Sequence, residues 1–178
     1  DHGIEGVKVG SVSGQLTDHY NPATKTINLS HEVYHGSNIA AAAVAAHECG
    51  HAVQHSKAFA MLNLRSSLVP FVSFASKWMQ WILLAGILTV SVFPGLLLVG
   101  IILFASTTLF SIITLPVEVD ASRRALQWLK MSRITNAETH QKAYDALKWA
   151  AYTYFVAALG SLATLIYYVM IFMGTRRD

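Results

Sequence analysis

The sequence predicts a mainly α, polytopic integral membrane protein with a small β-hairpin sheet at its N-terminus. Three observations predict it. Hydrophobic residues make up 53% of the 178-residue chain and charged residues only 13%, about half the charged share of a soluble domain. Three apolar runs, Leu68–Val92, Leu96–Leu115 and Ala150–Met173, reach the roughly 20 residues that cross a bilayer. Ahead of them stands a polar, glycine-punctuated stretch, residues 1–36, with short strand patterns and turn signals.

Within residues 1–36, Val7-Lys8-Val9 and Gln15 to Tyr20 read as short strands, with Gly10 and Gly14 as turn residues. Asn21-Pro22-Ala23-Thr24 is a turn, because proline presets φ for the second turn position. Lys25 to Leu29 alternates like a half-buried strand, and a short helix runs from Ser30 to Gly36. An edge strand here offers a peptide substrate main-chain pairing. A purely structural hairpin fits the same pattern.

Ser37 to Lys57 reads as one helix, with Ser37 as N-cap and an alanine-rich first half, Ile39 to Ala46. It contains Ala46-His47-Glu48-Cys49-Gly50-His51, an H-E-x-x-H pattern. Residues four apart on a helix share one face, about 5–6 Å apart at Cβ. His47 and His51 can therefore point two imidazoles at one ion, with Glu48 one step round the turn. Zinc takes neutral imidazole nitrogen and, in catalytic sites, keeps one position open for water. A carboxylate beside that water takes its proton as it attacks a carbonyl. The pattern thus predicts a zincin-like helix carrying one Zn2+ per chain, with Glu48 as general base for hydrolysis of peptide bonds. Cys49 lies off the His47–His51 line and reads as a packing residue; as the single cysteine it excludes an internal disulfide. Ala42, Ala46 and Gly50 are small at four-residue spacing, which permits close approach of a neighbouring helix.

After Lys57 the helical pattern loosens as far as Ser67. The first two apolar runs are separated by the breaker Phe93-Pro94-Gly95, so they read as a hairpin that enters the bilayer and returns to the same side. Lys77 must snorkel, with Trp78 and Trp81 as interfacial anchors. Residues 117–149 are polar and helical, with a break and a new cap at Thr135 or Asn136. The third run ends at Gly174, followed by Arg176-Arg177. The chain divides accordingly: a catalytic part over 1–67, a transmembrane hairpin over 68–116, a third-ligand helical segment over 117–149, and a C-terminal transmembrane helix over 150–178.

A hairpin that crosses and returns brings residue 116 back to the side of His47 and His51. The first acid met there is Glu118, after Pro116, which suits the start of a new helix. Glu118 is the expected third ligand, and Ser122, on the same face, is expected to orient its carboxylate. Asp120 is the rival, though it points about 200° round the helix. His55 shares the face of His47 and His51, but from about 12 Å along the axis.

The run His19-Tyr20-Asn21-Pro22, Lys25, Leu29-Ser30, Val33-Tyr34-His35-Gly36 and Ala45 through His55 resembles the bacterial neutral zinc membrane metallopeptidases, the YugP-like family. Leu64-Arg65-Ser66, Leu68-Val69-Pro70, Leu115-Pro116-Val117-Glu118 and Ala121 through Ala125 extend the match over nearly all of the chain. More distantly, H-E-x-x-H, a membrane hairpin and then E-x-x-A resemble membrane gluzincins of the CaaX-protease and heat-shock-protease kind. In those the glutamate of E-x-x-A-D binds zinc, which implies the same of Glu118; this chain has Ser122 in place of the aspartate. Family members also carry an N-terminal hydrophobic segment. The chain starts at Asp1 with no signal-type region before it, so it reads as a processed or truncated product.

The net charge is +3 and the basic doublets Arg123-Arg124 and Arg176-Arg177 stand alone, which argues against nucleic acid as a partner. The expected partners are a peptide or membrane-protein substrate and the lipid bilayer. Lys8, Lys25, Lys57, Arg65, Arg123, Arg124, Lys130, Arg133, Lys142 and Lys148 fall on the catalytic side, and Arg176 and Arg177 on the other. That bias predicts a multi-pass protein of the bacterial cell membrane with a cytoplasmic catalytic side. His19, Tyr20, Tyr34, His55, His140 and Arg123 are candidate donors to a developing oxyanion, and the sequence does not choose among them. Two other readings compete: a catalytically inactive zinc-binding membrane scaffold or interaction protein, and a soluble metalloprotease whose apolar runs form its core. An intact Glu48 argues against the scaffold.

Overall fold

The computed structural model describes residues 3–175; Arg176 and Arg177, counted above for orientation, lie outside them. Three strands, β1 (Lys8–Val12), β2 (His19–Asn21) and β3 (Thr26–Ser30), precede a one-turn helix α1 (His31–Tyr34). Four longer helices follow: α2 (Ile39–Ser56), α3 (Ala60–Leu88), α4 (Pro94–Met131) and α5 (Ala137–Thr175). The fold is mainly α, and α3, α4 and α5 are each long and apolar enough to cross a membrane. The chain forms two compact units, one from residues up to Asn63 with Pro116–Thr153, the other from Leu64–Leu115 with the residues from Tyr154 onward.

The first unit carries the sheet, in the order β1-β3-β2. β2 and β3 form the antiparallel hairpin, whereas β1 runs parallel to β3 with Val9 opposite Ile27. The expected strand limits shift for conformational reasons. Leu16 and Lys25 take positive φ, which a strand does not admit, so β2 starts at His19 and β3 at Thr26. Gly10 lies inside β1 rather than at a turn. Ile27 and Leu29 point one way from β3 and are buried against Ala52 of α2. Asp18 ties the end of β3 down by accepting from the Ser30 N–H and hydroxyl.

The N-cap of α2 is Asn38, not Ser37; its side chain accepts from the Ala41 N–H at 2.8 Å, and Asn stands at least as high as Ser at this position. One flank of α2 packs Ala43 and Ala46 against Ala125 and Leu129 of α4 and Ala143 and Leu147 of α5. Gly50 is the closest point. A Cβ there would stand 2.7 Å from the Ala121 oxygen and 3.1 Å from its Cα, so the α2 and α4 backbones are in direct contact. Gly50→Ala must push them apart, at an expected cost of about 1–3 kcal/mol. The expected result is a lower melting temperature in detergent; an unchanged melting curve would remove this contact from the account of the fold.

Pro116 does not begin a helix. α4 passes through it without interruption. Val117 and Ala121 continue the buried stripe with no exposed surface, and that packing outweighs one missing N–H. α3 likewise begins at Ala60 and contains Pro70. α5 runs unbroken from the polar Ala137 end into the apolar Ala150–Met173 stretch, because hydropathy marks the solvent a residue faces and not where a helix stops. At its start Asn136 and Thr139 cap each other, with the Thr139 N–H on Asn136 Oδ1 and the Asn136 N–H on Thr139 Oγ1, both at 2.8 Å.

In the second unit α3 and α4 form a tight antiparallel pair around Leu83, Leu97 and Ile101. A Cβ on Gly86 would meet Leu97 Cα at 2.6 Å. Hydroxyls inside the apolar run of α4 are satisfied by their own helix, as in Thr108 to the Phe104 oxygen and Thr114 to the Phe110 oxygen. Trp78, Trp81, Ile102 and Val99 point outward. Such broad exposed apolar surface is what a lipid-facing helix presents.

Candidate metal centre

α2 places His47 and His51 one turn apart, with ring centroids 4.7 Å apart and the planes nearly perpendicular. The ligand-type atoms of His47, Glu48 and His51 lie within 4.8 Å of one another. Glu118 arrives from α4, with its Oε2 3.1 Å from His47 Nε2 and 3.7 Å from His51 Nε2. In a tetrahedral first-row site with bonds near 2.1 Å, neighbouring donor atoms are about 3.4 Å apart. The two distances from Glu118 Oε2 bracket that spacing, so these residues could hold a metal ion.

The far sides of both rings are held. His51 Nδ1 lies 2.9 Å from Gln54 Oε1. The amide group of Gln54 donates to the Val117 oxygen and to Asp120 Oδ2, both at 2.8 Å, so Oε1 must be the acceptor and His51 Nδ1 carries the proton. His51 Nε2 is therefore the ring nitrogen that faces Glu118. Asp120 is fixed in turn by Arg124 Nε at 2.6 Å. The rival ligand Asp120 thus serves Gln54 and Arg124. Ser122, expected to orient the Glu118 carboxylate, faces His47 Nδ1 at 3.1 Å. Residues 118 and 122 do share a face, but α2 fits between them so that the hydroxyl meets the ring's other nitrogen.

Glu48 and Glu118 are only 6% and 3% exposed. Two carboxylates buried together are costly without positive charge nearby, and this is the electrostatic condition that favours a cation. Burial pushes the Glu48 carboxyl up, and the nearby Glu118 charge adds to this; the two imidazoles and the Tyr20 N–H pull back without cancelling it. Burial opposes charge on His51, but hydrogen bonding with Glu118 and its charge outweigh that, and the ring ends raised.

His55 is engaged elsewhere. Its Nδ1 lies 2.9 Å from the Tyr20 hydroxyl, so the helix turn beyond His51 is tied to β2. Tyr20 thus meets Glu48 through its backbone N–H and His55 through its hydroxyl. Elsewhere, His19 sits between the Thr17 oxygen and Asn28, Tyr34 meets His35 edge-on, and His140 pairs with Thr135. Cys49 is exposed.

Over residues 1–173 the chain matches the family described as "Putative neutral zinc metallopeptidase". It is 42% identical over 177 residues to "Putative membrane protease YugP" of Bacillus subtilis (strain 168), covering 99% of this chain and 78% of that protein. The chain belongs to the neutral zinc metallopeptidase family. No solved structure matches it. The resemblance read from His19 to His55 is to this same family. For a neutral zinc metallopeptidase the least legible part in sequence was Gln54, whose only signal was its position three residues after His51, where its amide reaches the imidazole. The Asp120–Arg124 pair behind it, at i and i+4, carried no signal of its own.

Proposed function

We propose that this family member is a membrane-embedded zinc metallopeptidase in which His47, His51 and Glu118 hold one Zn2+ per chain and Glu48 is the general base. The observation that carries the reading is the convergence of two imidazole nitrogens and a buried carboxylate oxygen at 3.1 and 3.7 Å, beside a second buried carboxylate. When bound, zinc polarises the scissile carbonyl and acidifies the attacking water. Glu48 takes the proton of that water and passes it to the leaving amine. Its raised affinity for protons suits a group that must both accept and return one. Gln54 holds His51 in the tautomer that leaves Nε2 free, and Ser122 fixes the plane of His47. β2 lies at the sheet edge next to Glu48, so an extended peptide or membrane-protein segment pairs along it by main-chain hydrogen bonds.

The location follows the same reading: a multi-pass protein of the bacterial cell membrane, with the catalytic side cytoplasmic, supported by the basic bias of the segments around the site. The test is hydrolysis of casein by the purified chain in detergent. Chelation should remove the activity and stoichiometric zinc should restore it. Activity that survives complete loss of metal would end the proposal.

A further inference from the structure

A cavity of about 610 Å³ opens between the first unit's parts of α4 and α5, with Ser122 among its lining residues. Arg123 and Lys130 line it from α4, and His140, Tyr144, Lys148 and Tyr152 from α5. No aspartate or glutamate lines it. Among the described residues neither Arg123, Lys130 nor Lys148 forms an ion pair. Like charges held around one cavity without an acid repel each other, and an anion entering it relieves that repulsion.

The cavity's place along its helices narrows the anion. On α4 the lining starts at Val119, one helical turn beyond Leu115, where the apolar run ends. On α5 it ends at Tyr152, where the apolar run from Ala150 begins. Both helices thus carry the cavity at the polar end of a membrane-length segment, the level of lipid headgroups. Lys148 Nζ lies 5.7–6.0 Å from the ring centres of Tyr144, Trp149 and Tyr152. Trp149 and Tyr152 are 64% and 46% exposed, as aromatic residues are in the interfacial belt. The walls are helices, whose backbone N–H groups are spent internally, so an extended peptide finds no main-chain partner here. A compact anion with a hydrophobic tail meets every feature.

We propose that this cavity binds the phosphate headgroup of an anionic phospholipid, with Arg123 and Lys148 as its principal contacts and the Tyr144 and Tyr152 hydroxyls as further donors. Basic pockets between helices at the membrane surface recognise headgroups in this way. Neither metal nor catalysis enters the claim, so it stands or falls separately from the peptidase reading.

The experiment uses the full chain in maltoside micelles, incubated with equal amounts of phosphatidylglycerol and phosphatidylcholine, with retained lipid counted by native mass spectrometry. Wild type should retain phosphatidylglycerol over phosphatidylcholine by roughly tenfold or more, the scale expected from two cations at a membrane surface. Arg123→Gln combined with Lys148→Gln should lose that preference, whereas Lys57→Gln, an exposed cation at the end of α2, should keep it. Equal retention of the two lipids by wild type would overturn the proposal without recourse to any variant. So would a preference that survives the double substitution in protein of unchanged helix content. Complete displacement of the lipid by an equal concentration of glycerol phosphate would also overturn it, since the ligand would then be a soluble anion.

Discussion

Glu48→Gln is expected to lower casein hydrolysis in detergent by about a thousandfold, within the span that general-base catalysis contributes, while zinc content stays at that of wild type. The side chain is buried and lies within 4.8 Å of the His47 and His51 ligand atoms. The amide is nearly the same shape as the carboxyl, so packing around it is preserved, but it cannot accept a proton at neutral pH. Metal analysis and peptide cleavage on the same preparation separate the two roles. Retained zinc with lost turnover identifies the base. Equal activity from both proteins would instead leave a zinc-binding scaffold, with hydrolysis coming from a contaminant.

The second large effect falls on metal binding. Glu118→Ala removes the α4 contribution to the cluster, and zinc affinity should drop by well over the roughly 100-fold that loss of a supporting partner costs. Activity should fall with it. The contrast lies in the neighbours: Asp120→Asn disturbs the contacts with Gln54 and Arg124, and His55→Ala breaks the hydrogen bond to Tyr20. Both should keep stoichiometric zinc at saturating metal. Full zinc retention by Glu118→Ala would show that another group completes the donor set. Loss on Asp120→Asn alone would move the assignment to its rival.

Local pattern and tertiary contact divide the account of this protein between them. H-E-x-x-H on a helix is legible because ring placement depends only on a four-residue spacing, and α2 sets His47 and His51 accordingly. The apolar runs are legible because length and composition alone meet the bilayer criterion, and α3, α4 and α5 contain them. The strand Lys25 to Leu29 shifted by one residue in β3 because the positive φ of Lys25 belongs to the turn before it, and turn geometry shows only faintly in side-chain pattern.

Spacing and composition along the chain were enough to put two imidazoles and a glutamate on one helix, to follow them with membrane-length segments, and to make Glu118 the first acid after the second of them. Which atom meets which depends on how the helices pack. The rotation and depth at which α4 lies on α2, set at the Gly50–Ala121 contact, put Ser122 on His47 Nδ1 and run the chain from Arg124 through Asp120 and Gln54 to His51. Sequence spacing fixes angles around one helix axis. Hydrogen bonds of about 3 Å between two helices depend on their relative translation to a fraction of that length, and this is settled only when the whole interface packs.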